Sequence, residues 1–132
     1  GTIDSLKIAS WSRIFDLLEK EEPTLWHCSS GKDRTGMTTT LILASLGVDE
    51  KTIIKEFMMS NYYLEETHNR TLANFEKSNG QEMKDLISPL MILEEIYITT
   101  YLNTIKKEYG SVDNFLKVLG VDFEKMKANY LE

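Results

Sequence analysis

A single cysteine stands among 132 residues, so no disulfide can form within the chain, and the cystine-stapled scaffolds of small secreted proteins are excluded. One thiol suits a reducing compartment and raises the question of what that thiol does. No apolar run approaches the roughly 20 residues that a membrane-crossing helix requires. Basic residues are outnumbered, 15 against 21 acidic ones, and the net charge of −6 lacks the broad positive field of a nucleic-acid-binding surface. Any positive potential has to be local. Prolines number two, and there is no internal repeat, flexible linker or low-complexity tract. The opening GTIDSLKIAS has neither the basic flank nor the continuous apolar stretch of a secretory signal. It lacks a starting methionine, which points to a processed or partial chain.

What is present is enough for one domain over residues 1–132. The hydrophobic fraction is 42%, sufficient for a core at this length. Ile8, Trp11, Phe15 and Leu18 recur at three- and four-residue steps and predict an amphipathic helix from Leu6 to about Leu18, capped by Asp4 or Ser5 and stopped by Pro23. Thr24-Leu25-Trp26-His27-Cys28 is apolar, bounded by breakers and too short for a helix, which predicts a buried strand. Met37 to Leu46 reads as a helix closed by Gly47. The weak helix formers Thr38, Thr39 and Thr40 imply packing or polar contacts there. Beyond Gly47 the chain reads as wholly helical. Asp49 caps a helix to about Tyr63, a second runs from Glu66 to Lys77, and Pro89 opens a long one to about Glu108. Ser111 starts a short helix ending near Gly120, and Asp122 caps the last. A lone strand leaves its edges without partners, so its sheet would have to come from sequence absent here or from another polypeptide.

The stretch between strand and helix, His27-Cys28-Ser29-Ser30-Gly31-Lys32-Asp33-Arg34-Thr35-Gly36, carries the chemistry. Unpaired backbone N–H groups at such a junction converge on an oxyanion. Gly31 lets the backbone curl, and Arg34 at the helix start offers two parallel donors to phosphate oxygens. Cys28 lies at the bottom of the same bowl, where the N–H groups, the helix terminus and Arg34 favour thiolate over thiol. The hydroxyl of Thr35 or Ser29 is placed to donate to the sulfur. His27 reads as a brace for the loop rather than a base. Five residues between Cys28 and Arg34 allow the backbone to circle one phosphate while the arginine returns over it. Against this stand blander readings: a cysteine ahead of a helix is ordinarily an inert small hydrophobe, and Lys32-Asp33 has the look of a common surface pair.

The string HCSSGKDRTG closely resembles the signature of protein tyrosine and dual-specificity phosphatases, and its GKDRTG ending resembles the atypical bacterial tyrosine/lipid phosphatases. The resemblance continues through Leu43-Ala44-Ser45-Leu46-Gly47-Val48 and the segments Lys51 to Tyr63 and Tyr97 to Tyr109. It extends to Tyr109-Gly110-Ser111, Asn114-Phe115-Leu116 and Leu119-Gly120-Val121. It implies an α/β cysteine-phosphatase fold, represented here mainly by its C-terminal helical part with one central-sheet strand leading into the phosphate loop. It also implies that the chain is the C-terminal portion of a larger phosphatase domain and needs the missing N-terminal part.

Carried over residue by residue, the resemblance makes Cys28 the nucleophile, Arg34 the phosphate ligand and Asp33 the general acid. Ser29, Ser30, Gly31, Lys32, Thr35 and Gly36 become phosphate-binding, with Lys32 matching the lysine that lipid phosphatases use for a second phosphate. The expected reaction is phosphomonoester hydrolysis through a phosphocysteine, on phosphotyrosine proteins, with phosphoinositides as a further substrate class to consider and with phosphate or sulfate able to occupy the loop. No metal or other cofactor is expected. The expected setting is the cytoplasm, or a reducing host compartment reached by secretion from a pathogen. The alternative is a non-catalytic phosphate-ester-binding module or an inactive fragment; a rhodanese-like sulfur carrier ranks below both. Trp11 and Trp26 read as core. Asn69-Arg70-Thr71 reads as a chance glycosylation sequon, and Tyr62, Tyr63, His68 and Arg70 as residues that could line a cleft.

Overall fold

The computed structural model describes residues 4–132; the first three residues of the opening decapeptide, on which the reading about a targeting signal partly falls, lie outside it. Every regular element among the described residues is an α-helix: α1 (Ser5–Glu19), α2 (Asp33–Ser45), α3 (Glu50–Asn79), α4 (Gln81–Met91), α5 (Glu95–Tyr109), α6 (Val112–Val118) and α7 (Phe123–Tyr130). None is long and apolar enough to cross a membrane.

The expected α/β fold is therefore not found. Thr24–Cys28 forms no strand; it runs as irregular backbone between α1 and the loop. A strand exists through its ladder, because unpaired N–H and C=O groups on both edges have nothing to hold them in register. The remaining described chain is helical and offers no such edge. Burial still alternates along the segment, with Thr24, Trp26 and Cys28 partly covered and Leu25 and His27 exposed. It is anchored by the Trp26 indole, whose N–H donates to Thr39 Oγ1 at 3.1 Å.

Local chemistry explains the helix ends. Asp4 caps α1 by accepting from the Lys7 N–H at 2.9 Å, and Asp49 does the same for α3 from Thr52. Ser111 and Asp122 cap α6 and α7 through the N–H groups of Asn114 and Lys125. Where Met37 was expected to open α2, the helix begins at Asp33, inside the polar loop. The expected helices to Tyr63 and from Glu66 are one continuous α3, since no glycine or proline interrupts Leu64-Glu65. Pro89 sits inside the last turns of α4 instead of opening the next helix. The break falls after it, at Ile92–Glu94. There the side-chain amide of Asn61 accepts from the Leu93 N–H at 2.8 Å and donates to the Leu93 carbonyl at 2.7 Å, replacing the helical partners that residue gives up.

Two apolar clusters hold the molecule together. The larger joins Phe15 and Leu18 of α1, Leu41 and Ile42 of α2, Ile105 of α5, Phe115 and Leu116 of α6, and Leu119, Val121 and Met126. The smaller joins Phe57 of α3 with Leu93, Ile98 and Leu102. Trp11 packs edge-on to Phe115 with ring centroids 5.9 Å apart, a core role as expected. The second half of α3 and α4 form an arm packed mainly on itself, in which Leu72 is buried and Lys84 pairs with Glu76 at 2.7 Å.

Candidate functional site

Residues 28–36 pass from the irregular segment into α2. Gly31 adopts φ +68°, a left-handed turn open to glycine at little cost, which brings the loop back toward Cys28. Gly36 is required for a different reason: a Cβ there would stand 2.8 and 2.9 Å from carbons of the Phe57 ring. The missing side chain is what lets α3 approach the first turn of α2. The three threonines that follow bond back along the helix. Thr38, Thr39 and Thr40 donate to the carbonyls of Arg34, Thr35 and Gly36 at 2.9–3.1 Å. These contacts satisfy hydroxyls that are wholly or partly buried and secure the turn that carries the loop residues.

Within the loop, several of the expected residues come together. The Cys28 thiol, partly covered, is held down from its ordinary 9.0 to about 6. The largest cause is the Thr35 hydroxyl; burial opposes it as the next largest, and the backbone N–H groups of Thr35, Ser30 and Gly31 assist. That hydroxyl is buried and makes no hydrogen bond of ordinary geometry. Arg34 Nη2 donates to Ser29 Oγ at 2.8 Å, closing the guanidinium over the loop. Ser30, Gly31 and Thr35 thus form a small cup around Cys28 that favours the thiolate, while Arg34 is engaged with Ser29.

Other expected residues lie apart from it. Lys32 is only 5% exposed. Its ammonium donates to the Leu90 carbonyl at the end of α4 at 3.0 Å and lies 3.4 Å from an Asp33 carboxylate oxygen. Asp33 is half-exposed in the first turn of α2. His27 is exposed, with Nδ1 3.4 Å from the Cys28 carbonyl oxygen, too long for a firm brace. Arg70 is engaged with Glu66 of its own helix at 2.9 Å, while the exposed Tyr62 and Tyr63 rings meet edge to face. None of Tyr62, Tyr63, His68 and Arg70 lines the cavities around the loop.

Two cavities flank the cup. A polar one of about 140 Å³ lies between α2 and α3, bounded by Gly31, Thr35, Gly36, Thr39 and Glu56. A larger apolar cleft of about 630 Å³ opens between α1, α2 and α5, where Arg34 and Met37 meet Trp11, Tyr97 and Tyr101. The Tyr101 hydroxyl there is buried without a partner, and burial pushes its pKa up, keeping the phenol protonated. Among the described residues, no group of three or more His, Cys, Asp or Glu side chains is arranged to hold a metal ion.

A family model described as the tyrosine phosphatase family matches residues 4–132. The chain belongs to that family. Among curated relatives, it is 32% identical over 108 residues to a putative tyrosine-protein phosphatase of Cupriavidus necator, covering 81% of this chain and 39% of that protein. It is 26% identical over 118 residues to a triple specificity protein phosphatase of Mycobacterium tuberculosis, covering 83% and 43%. A tyrosine-protein phosphatase of Nostoc commune is 38% identical over 47 residues, 36% of this chain. The chain thus spans about two-fifths of the length of the first two relatives.

Membership of the family does not carry the expected reaction with it. Hydrolysis through a phosphocysteine at a C-x5-R phosphate loop presupposes a strand–loop–helix frame. Reacting groups must be held in near-attack geometry by rigid elements. Among the described residues no strand leads into the loop. The cysteine-dependent phosphatase mechanism, with Cys28 as nucleophile and Asp33 as general acid, therefore does not stand. Nor do phosphotyrosine proteins and phosphoinositides as its partners, because no substrate-binding loop of that architecture is evident. A non-catalytic module accords better with the helical structure.

The contacts that position the loop leave little trace in the residue pattern. Leu90 serves through its carbonyl, which no side-chain pattern betrays. The Trp26–Thr39 bond was foreshadowed only by the run of three threonines in a helix that would favour other residues.

Proposed function

We propose that this chain is a non-catalytic phosphate-ester-binding module of the tyrosine phosphatase family, with residues 28–36 as its anion cup. The observation that carries the reading is the convergence of donors on Cys28. The Thr35 hydroxyl and the N–H groups of Thr35, Ser30 and Gly31 lower its pKa to about 6, while Arg34 reaches across to Ser29 at 2.8 Å. Donors able to stabilise a sulfur anion are of the kind that stabilise phosphate oxygens.

In this reading HCSSGKDRTG is the family's signature serving recognition. Arg34 leaves Ser29 to grip two phosphate oxygens, and the amides of Ser29, Ser30, Gly31 and Thr35 take the others. Gly36 keeps the helix start close to α3. Lys32 and Asp33 set the local charge beside the cup. Residues 1–132 act as one domain. The names of the relatives, a tyrosine-protein phosphatase and a triple specificity phosphatase, support phosphate monoesters as the ligand class. A reducing compartment is the setting in which the thiolate survives unoxidised.

Isothermal titration with phenyl phosphate tests this. Saturable binding that disappears in Arg34→Ala, without release of phenol by the wild-type chain, is the expected result. Absence of binding removes the module, and phenol release abolished by Cys28→Ser removes its non-catalytic character.

A further inference from the structure

At about 630 Å³, the cleft between α1, α2 and α5 is large enough to enclose a small organic molecule. The anion cup makes no use of it. Its walls are mostly apolar: Trp11 and Ile14 of α1, Met37 of α2, and Tyr97 and Tyr101 of α5. The Trp11 and Tyr101 rings stand at 53° to each other with centroids 6.1 Å apart. Walls of this kind favour a flat aromatic occupant, which meets other rings edge-on or offset.

Most polar groups on the same walls are already engaged. The hydroxyls of Ser10, Thr38 and Thr104 each donate to a carbonyl of their own helix, at 2.9, 3.1 and 2.8 Å. The Lys7 ammonium faces Asp4 at 3.9 Å, and Arg34 is turned to Ser29 of the cup at 2.8 Å. Neither cation is committed to the cleft, so its walls suit a neutral molecule. The Tyr101 hydroxyl differs from its neighbours. It is shielded from solvent and has no hydrogen-bond partner, and burial keeps it protonated, hence a donor. A buried donor left unpaired is costly, and an acceptor on a bound molecule supplies the missing bond.

We infer that this cleft is a binding site for a neutral aromatic molecule bearing a carbonyl oxygen, which accepts from the Tyr101 hydroxyl. The site goes beyond the anion cup and does not depend on it, since the ligand carries no phosphate. Affinity comes mainly from apolar area removed from water. Discrimination comes from Tyr101: an analogue without the carbonyl leaves the donor as unpaired as it is in the free protein.

Acetylnaphthalene and ethylnaphthalene, which share a ring system and differ by one carbonyl oxygen, are the probes. Each is titrated into the ¹⁵N-labelled whole chain and followed by amide chemical shifts. The shifts should saturate and concentrate around Trp11, Met37 and Tyr101. In Tyr101→Phe the ratio of ketone to hydrocarbon affinity should fall by about tenfold, the worth of one buried hydrogen bond, while the hydrocarbon binds as it does to the wild type. The variant keeps the ring and should melt no lower than the wild type, because the hydroxyl it removes has no partner in the free protein. A lower melting temperature overturns the unpaired donor, and an unchanged affinity ratio overturns its role in recognition. Absence of saturable shifts in the wild-type chain, or shifts centred elsewhere, overturns the site without need of any variant. Inorganic phosphate titrated into the same sample reads the anion cup separately, so the two readings fail independently.

Discussion

The body of the molecule and its α3–α4 arm are built from similar residues used in opposite ways. In the body, Ile105, Phe115, Leu116 and Met126 lose all contact with solvent and meet side chains from five helices. In the arm, Leu72 is the buried side chain, whereas Leu86 and Leu90 face water. Cohesion in the body is apolar and distributed. In the arm, the packing of α4 on α3 is supplemented by polar contacts at its margins: Asn61 on Leu93, Lys84 on Glu76 and Lys32 on Leu90. The anion cup stands between them, fixed to the body by Trp26 and the three threonines and to the arm by Lys32. A site so placed gains rigidity on one side and responsiveness on the other.

That contrast breaks most sharply at Phe115. Phe115→Ala should destabilise the chain by about 3–5 kcal/mol, the usual cost of removing a buried aromatic side chain, measured as a fall in the urea midpoint. A cost below about 1 kcal/mol would mean that the α6 region is not the centre of the core. Asn61→Ala tests the arm's polar attachment. It leaves the N–H and carbonyl of Leu93 without their partner and should cost about 1–3 kcal/mol, with hydrogen exchange rising first around Leu93.

The cup itself is sharpened by pH. Alkylation of Cys28 by iodoacetamide should show a midpoint near 6, against the ordinary 9.0, and Thr35→Val should move that midpoint upward because it removes the largest stabilising donor. The folded-state pKa is depressed, so the ionised sulfur contributes stability in full above the unfolded thiol's pKa. That contribution declines as pH falls toward 6 and is lost below it. Cys28→Ser should flatten this part of the stability–pH curve. The smallest effect is expected at Leu86: Leu86→Ser on the outward stripe should change stability by no more than about 0.5 kcal/mol, and a larger loss would show that the stripe is covered.

Much of the helical pattern was legible. The three- and four-residue spacing from Ile8 to Leu18 located α1, and Asp4, Asp49, Ser111 and Asp122 announced their helices because capping is local chemistry. Gly47 was read as closing α2 and has the φ of +83° that suits glycine at a helix end. The division of α3 was misread because the charged Leu64-Glu65-Glu66-Thr67 stretch looks like a boundary, although it contains no residue that breaks a helix. The break at Leu93 was invisible for the opposite reason, being made by Asn61 from 32 residues away. The strand at Thr24–Cys28 failed because composition can mark a segment as suited to a sheet but cannot supply its partners. At the site, the five residues between Cys28 and Arg34 announced a loop that folds back on itself, and the Arg34 guanidinium does return to Ser29. The withdrawal of Lys32 to Leu90 depends on a backbone carbonyl in a distant helix, and nothing near position 32 encodes it.

The most direct test of the anion cup is a ³¹P NMR titration of phenyl phosphate with the wild-type chain at neutral pH. The expected spectrum shows the ester resonance shifting or broadening saturably, the change vanishing in Arg34→Ala, and no inorganic phosphate accumulating. An unperturbed ester resonance, or a growing inorganic phosphate signal that depends on Cys28, would contradict it.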